Sequence, residues 1–417
     1  MSKLIVSGMT NLEGSVSVGG SKNSTLPILA ATLLANGCST IYDVPYLLDI
    51  KNMTDILHCL GAEITNAGGS GLSICCKKPG WDVSDCEYTT KLRASFLVAG
   101  PLLARCKRFK ISMPGGCRIG LRPVDLHLKG FAALGAKITV GHGFIEAKCR
   151  NLTGTVIYLD FPSVGATENL MMTASLANGL TIIENAAIEP EIVDLAGFIN
   201  SMGGKIVGAG TDTIKITGVK ELTGQVHTVI PDRIEAGTYA AAAAVTKGKI
   251  QIDNVIPEHL TPITAKLREA GVEVTEGDSF ITVDAENQPK AADIKTLPYP
   301  GFPTDMQAPY TAMMSVAEGT SIVTETIFEN RFMHIPELIK MGADIKTEGR
   351  TAVVKGTKKL TGSKVNATDL RAGAALVLAA LAAEGETEIS HAEYIDRGYY
   401  NIDKKLSLLG AQVMRID

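Results

Sequence analysis

Six times along this 417-residue chain the same signature returns: an apolar helix end, a glycine, then the start of a strand. The copies read "HCLGAEI", "AALGAKI", "NSMGGKI", "REAGVEV", "IKMGADI" and "SLLGAQV", with their glycines at Gly61, Gly135, Gly203, Gly271, Gly342 and Gly410. A period of about seventy residues is longer than a solenoid unit, so the chain predicts large repeated modules. Glycine just past the last apolar-periodic residue takes the left-handed conformation that ends a helix. A second landmark keeps step, in Ala-rich segments that end "LLANG", "LLARC", "SLANG", "AVTKG", "SVAEG" and "LAAEG", each followed by a β-branched stretch. Two helices per unit follow. The expected class is α/β (α+β), with helices covering sheets.

A third landmark, "NLTGTV", "ELTGQV" and "KLTGSKV", trails the helix-end glycine by about twenty residues. None trails Gly410, whereas "NLEGSV" with Gly14 stands unattached near the start. The N-terminal strands are therefore expected to complete the last unit. That reading divides the chain into one domain of residues 21–230 and a second of 1–20 plus 231–417, in keeping with its length. The chain passes between them near Lys22 and near Asp232, where an interdomain cleft is expected to hold ligands.

Hydrophobic content of 45% with 20% charged residues describes an ordered globular protein. A net charge of −4 argues against a nucleic-acid partner while leaving room for a local basic cleft. The start "MSKLIVSGMTNLEG" lacks the features of a secretory signal, which suggests a cytoplasmic protein. The longest apolar run, "GAALVLAALAA" from Gly373 to Ala383, is shorter than the roughly 18 residues a membrane span needs. It reads as a buried helix, with no membrane partner.

The eight cysteines, Cys38, Cys59, Cys75, Cys76, Cys86, Cys106, Cys117 and Cys149, form no C-x-x-C pair, and the histidines form no ligand cluster. Neither a metal site nor a disulfide framework is expected, and seven of the cysteines read as small buried hydrophobes. Cys117 is the exception. It lies in "MPGGCRIGLRP", on a glycine pair and flanked by arginines, where a core residue does not belong.

Polar helix starts recur at the repeat junctions: "GGSKN", "TTKLRA", "PSVGATEN", "PDRIEAG", "FPTDMQ" and "NATDLRAG". Free N–H groups and the positive dipole end make such starts attractive to phosphates and carboxylates. Asp305 and Asp369 read by themselves as helix-start acids, each worth roughly 1 kcal/mol. The alternative is a carboxylate placed to take a proton from a substrate hydroxyl. Arg371 serves equally as a structural ion-pair partner. Arg93, Arg122, Arg331 and Arg397 are singly ordinary surface charges, although arginine suits planar recognition of carboxylate or phosphate. Lys22 can approach a phosphate, but its spacing is not that of a Walker motif.

Taken together, "SKNSTLPIL", "PGGCRIGLRPVDLH", "SVGATENLM", "ENAAIEPEIVDLA", "PDRIEAGTY", "FPTDMQA", "FENRFMH", "ATDLRAGAALVLA" and "IDRGY" closely resemble the bacterial UDP-N-acetylglucosamine enolpyruvyl transferases, from Lys3 to the C-terminus. The resemblance implies a two-domain inside-out α/β barrel of six βαβαββ repeats, three per domain. It implies transfer of enolpyruvyl from phosphoenolpyruvate to the 3-hydroxyl of UDP-N-acetylglucosamine with release of phosphate, the first committed step of peptidoglycan synthesis. It implies a cytoplasmic enzyme without metal or other cofactor.

Residue by residue, the resemblance implies that Cys117 rides on a mobile lid, protonates the phosphoenolpyruvate methylene, can carry a covalent adduct and is the target of fosfomycin. Gly115 and Gly116 would give that lid its freedom, Pro123 would stiffen its far end, and Arg118 and Arg122 would favour the thiolate. Lys22, Arg122 and Arg397, with Asn23 beside them, would clamp phosphoenolpyruvate and stabilise the tetrahedral intermediate. Asp305 would contact the sugar hydroxyl as general base, with Asp369 a second acid in the proton relay. Arg93, Arg122, Pro123, Val124, Asp125, Leu126, Ser163, Val164, Gly165 and Ile327 fall on nucleotide-sugar contacts, and Arg331 and Arg371 on the cleft wall. Two departures from the family pattern stand nearby, at Ala308-Pro309 and at Tyr394. The sister transferases that act on shikimate 3-phosphate share the fold but lack the cysteine lid and read closer to "GSKSxSxR" where this chain has "GSKNSTLP". The other alternative is a regulatory paralogue that binds the nucleotide sugar or phosphoenolpyruvate; intact Lys22, Cys117, Asp305 and Arg397 argue against it, since binding alone needs neither thiol nor base.

Overall fold

The computed structural model describes residues 2–113 and 124–416. Cys117, Arg122 and Pro123, with Gly115, Gly116 and Arg118, lie outside the described residues. The chain divides into two compact units, one holding residues 2–19 and 231–416, the other 20–113 and 124–230.

Each unit is built from three four-stranded sheets of one pattern, with the first strand parallel to the second and the remaining pairings antiparallel. In the sheet of Val156–Tyr158, Leu180–Glu184, Thr213–Thr217 and Ile206–Val207, the inward positions Ile183, Ile214 and Ile216 are buried. Leu180, Val156 and Val207 on the other face are exposed. Alternate positions of a strand point to opposite faces, so each sheet offers one apolar face to the helices.

The Ala-rich helices form the centre. Arg233–Thr246, Gln307–Met314 and Leu370–Ala382 pack on one another within one unit and are buried almost all round, as a helix without a polar face must be. The run beginning at Gly373 is indeed the buried helix expected, Ala374 to Leu381 being at most 1% exposed. Small side chains permit this packing: a Cβ at Gly373 would lie 2.5 Å from Ile395 Cγ1. In the other unit Ala99–Cys106 and Val164–Ala174 pack together, and Lys22–Ala31 lies on Pro190–Ser201. The repeat glycines Gly61, Gly135, Gly203, Gly271, Gly342 and Gly410 all have positive φ, between 82° and 103°.

The structure corrects two expectations. Strand Lys3–Ser7 does complete the last sheet, between Glu386–Ser390 and Gln412–Ile416, but "NLEGSV" does not join it. Strand Glu13–Ser17 pairs in parallel with Lys249–Asp253 and opens the fourth sheet instead. The motif marks the first strand of a sheet, which is why its other copies also lead into parallel pairs.

The second correction concerns the cysteines. Cys38 and Cys75 form a disulfide, because the register of two antiparallel strands sets them directly opposite, with Cα atoms 4.2 Å apart. Nor are all the others core residues: Cys76 and Cys86 are buried, Cys106 and Cys149 half-buried, and Cys59 exposed.

Candidate functional site

In the unit of residues 20–230, Lys22 is the first residue of the helix Lys22–Ala31. The approach demands glycine at position 20, where a Cβ would lie 1.8 Å from the Asp43 carbonyl oxygen. Ser21 caps the helix by accepting the Ser24 N–H at 3.3 Å, and its own N–H donates to the Ile230 carbonyl at 2.7 Å. Lys22 is only 7% exposed, and its Nζ lies 3.4 Å from the buried Asp49 carboxylate. Asn23 beside it is half-buried. Next along the helix, the Ser24 hydroxyl donates to Asp194, which also binds His227 Nε2 at 2.9 Å and the Ile230 N–H at 3.4 Å. Asp194 thus ties the start of this helix to the segment where the chain leaves the unit.

The same unit carries the described residues expected to meet the nucleotide sugar. Ser163 caps the helix Val164–Ala174, its hydroxyl accepting the Ala166 N–H at 3.4 Å, so Ser163, Val164 and Gly165 form a helix N-terminus suited to an anion. Val124 precedes the helix Asp125–Ala133, with Asp125 exposed and Leu126 half-buried. Arg93 opens the turn Arg93–Val98 and acts electrostatically on His127.

The other unit gathers Asp305, Ile327, Arg331, Asp369 and Arg371. Asp305 sits in the short turn Thr304–Met306, 24% exposed, and each of its oxygens is taken by a different arginine. Arg331 Nη2 donates to Oδ1 at 2.6 Å, and Arg371 Nη2 donates to Oδ2 at 2.9 Å. Both guanidiniums are buried, Arg371 over the Tyr399 ring at 5.2 Å and Arg331 over Phe328 at 5.2 Å. Arg371 therefore pairs with Asp305. Asp369 is the N-cap of the helix Leu370–Ala382, accepting the N–H groups of Arg371 at 2.9 Å and Ala372 at 3.0 Å.

Sequence reasoning missed the group that fixes this cluster. Glu325, 1% exposed, accepts four hydrogen bonds: from Thr304 Oγ1 at 2.8 Å, Thr296 Oγ1 at 2.9 Å, and the N–H groups of Ile327 at 2.8 Å and Phe328 at 3.1 Å. Thr304 Oγ1 in turn accepts from Arg331 Nη1 at 3.0 Å. One carboxylate thus sets both the turn carrying Asp305 and the loop carrying Ile327. Its neighbourhood offered the signal, since "TETIFENR" had already yielded Ile327 and Arg331. His334, also missed, is 1% exposed, and burial brings its imidazole down to about 4 against the pull of Asp369.

Arg397 ends the turn Ala392–Arg397, anchored by a bidentate pair between Asp396 and Arg415 at 2.7 Å and 2.9 Å. Tyr394 lies in that turn, its ring 5.9 Å from His391. Pro309 occupies the first turn of Gln307–Met314, where no intrahelical N–H bond is lost. Among the described residues there is no group of three or more His, Cys, Asp or Glu able to hold a metal ion, and no helix long and apolar enough to cross a membrane.

Residues 6–406 match the family model described as EPSP synthase (3-phosphoshikimate 1-carboxyvinyltransferase). The chain is 56% identical to "UDP-N-acetylglucosamine 1-carboxyvinyltransferase 2" of Carboxydothermus hydrogenoformans, with 100% of each chain covered. It is 57% identical to "UDP-N-acetylglucosamine 1-carboxyvinyltransferase 1" of Caldanaerobacter subterraneus, over 99% of each. Among solved structures, the enolpyruvyl transferase NikO from Streptomyces tendae matches with a TM-score of 0.90 at 23% identity, covering 100% of this chain and 99% of that one. EPSP synthase from Acinetobacter baumannii matches at 0.77 and 17%, over 100% of both. These two likenesses show the shared fold, and the full-length identity above one half shows the branch: the chain belongs to the EPSP synthase family of enolpyruvyl transferases, among the UDP-N-acetylglucosamine 1-carboxyvinyltransferases.

Proposed function

We propose that this chain transfers enolpyruvyl from phosphoenolpyruvate to the 3-hydroxyl of UDP-N-acetylglucosamine, releasing phosphate, as the first committed step of peptidoglycan synthesis in the cytoplasm. The observation that carries the mechanism is the Asp305 carboxylate, one oxygen on Arg331 and the other on Arg371. Two fixed guanidiniums orient this carboxylate, and as an acceptor it takes a hydroxyl hydrogen in the substrate complex. Asp305 takes the proton of the sugar hydroxyl as the new C–O bond forms at C2 of phosphoenolpyruvate, and Cys117 gives a proton to C3. Loss of a C3 proton and cleavage of the C2–O bond to phosphate then complete the exchange.

The cationic groups serve the charge that moves. Lys22, with Arg122 and Arg397, binds the phosphate and carboxylate of phosphoenolpyruvate and stabilises the tetrahedral intermediate. Asp49, 3.4 Å from Lys22 Nζ, restrains that ammonium before substrate arrives. Asn23 stands beside that clamp, and Arg93, Arg122 to Leu126, Ser163 to Gly165 and Ile327 contact the nucleotide sugar. Cys117 is also where fosfomycin reacts, its epoxide opened by the thiolate.

The test is phosphate release from phosphoenolpyruvate with UDP-N-acetylglucosamine or shikimate 3-phosphate as acceptor, for the wild type and Cys117→Ser. Release with the nucleotide sugar alone, lost in the variant, is expected. Release with shikimate 3-phosphate would move the chain to the sister activity, and none with either acceptor would leave only a binding protein.

A further inference from the structure

We infer that Asn169 is a positioning residue that locks His127 as the Nε2–H tautomer, and that this N–H donates to an anionic oxygen of the nucleotide sugar at the N-terminus of the helix Val164–Ala174. The inference rests on the proposed role of Ser163 to Gly165.

The argument begins with Asn169, which is fully buried. The Gly100 N–H, which can only donate, meets Oδ1 at 2.8 Å, so Oδ1 is the amide oxygen. Nδ2 faces the Phe96 carbonyl, which can only accept, at 3.0 Å, and the amide orientation is thereby fixed from both sides. The second Nδ2 hydrogen points at His127 Nδ1, 2.9 Å away. Nδ1 must accept, and a neutral imidazole then carries its proton on Nε2. Neutrality is secured by burial, helped by Arg93, which brings the ring down to about 3. Phe96 packs edge-on against the ring at 5.1 Å.

The free edge of this ring has a definite target. A Cβ placed on Gly165 would lie 3.3 Å from His127 Cε1 and 3.5 Å from Nε2, so the Nε2 edge lies against the first turn of the helix that Ser163 caps. His127 is 9% exposed, and among the described residues Nε2 has no hydrogen-bond partner. A donor of fixed tautomer, beside a helix start with its own outward N–H groups, calls for an acceptor that carries negative charge. In a nucleotide sugar that is a diphosphate oxygen. Glycine at position 165 leaves the approach open.

The experiment uses the ¹⁵N-labelled full chain, with long-range ¹H–¹⁵N spectra of the imidazoles and His127 assigned by its disappearance in His127→Gln. The expected spectrum shows Nε2 protonated and Nδ1 bare without ligand, and a shift of Nε2 on saturation with UDP. An Nδ1–H or doubly protonated ring overturns the lock, and an Nε2 signal indifferent to UDP overturns the contact. Calorimetry of UDP-N-acetylglucosamine adds the functional arm. His127→Gln, whose amide nitrogen overlays Nε2, should bind within about threefold of wild type, whereas His127→Phe should lose about tenfold to a hundredfold. Equal losses in both variants overturn the donor role. Asn169→Asp turns an acceptor toward Nδ1 and should move the proton there, and if that variant fails to fold the wild-type spectrum still decides. A wild type that binds no UDP-N-acetylglucosamine overturns the reading under Proposed function instead, and the tautomer is then judged by the unliganded spectrum alone.

Discussion

Glu325 accepts a hydrogen bond of 2.8 Å from the hydroxyl of Thr304, the residue that precedes Asp305. Because the same hydroxyl accepts from Arg331, the polarity of the chain Arg331 to Thr304 to Glu325 is fixed. Glu325→Gln replaces an acceptor-only group by one that must present two hydrogens among four donors. The expected cost is about 1–3 kcal/mol of stability and a loss of catalytic efficiency, seen as a lowered Tm and a lower kcat. Unchanged values of both would show that Thr304 and Asp305 hold their places without it.

Asp305 makes a sharper prediction. Asp305→Asn keeps the shape but cannot accept the hydroxyl proton, so kcat should fall by about 10²–10⁴ while UDP-N-acetylglucosamine still binds. A variant within a factor of three of wild type would mean that the proton leaves by another route.

Glu168 gives the pH dependence. It is buried, and desolvation, aided by the carboxylates of Glu191 and Glu189, raises its carboxyl well above the ordinary range. The folded chain therefore keeps this proton to higher pH than the unfolded chain. Its contribution to stability is fully present below the ordinary carboxyl range and is lost as pH rises through the raised value. Glu168→Gln removes that loss, so the variant should gain in Tm over wild type near about pH 8 more than near about pH 4. An equal difference at both pH values would refute this.

Cys117 should react with fosfomycin when the nucleotide sugar is present, adding the mass of the opened epoxide to the intact chain. Cys117→Ser should add none, and peptide mapping should place the adduct on Cys117. Modification elsewhere would separate drug sensitivity from Cys117.

The disulfide is testable by difference. Cys38 and Cys75 are 37 residues apart, for which loop-closure entropy gives roughly 3–4 kcal/mol, so reduction or Cys38→Ser should lower Tm measurably under oxidising conditions. In a reducing compartment the pair is expected as two thiols, and stability there should match that of the variant.

The repeats were legible in the sequence because each helix end needs a backbone conformation that glycine supplies cheaply, and Gly61 through Gly410 all adopt it. The buried helix at Gly373 was legible because an all-apolar face excludes a surface position. Asp305, Arg331 and Arg371 were found as separate residues, but their pairing was not. Asp305 stands 66 residues from Arg371, and nothing local says which carboxylate an arginine will choose. Glu325, Asn169 and Asp49 escaped for a related reason: each is a polar group among ordinary neighbours whose importance lies in the partners the fold brings to it. The Cys38–Cys75 pair needed the strand register, which spacing does not encode.

The placement of Lys3–Ser7 has a temporal side. Lys3 is paired on one edge with Ser390 and on the other with Ile416, so this strand is closed on both sides by strands made nearly four hundred residues later. The unit of residues 20–230 has all three of its four-stranded sheets from its own chain and can assemble while synthesis continues. The other unit keeps Lys3–Ser7 waiting for residues 386–416, and its last sheet closes only once those have been made.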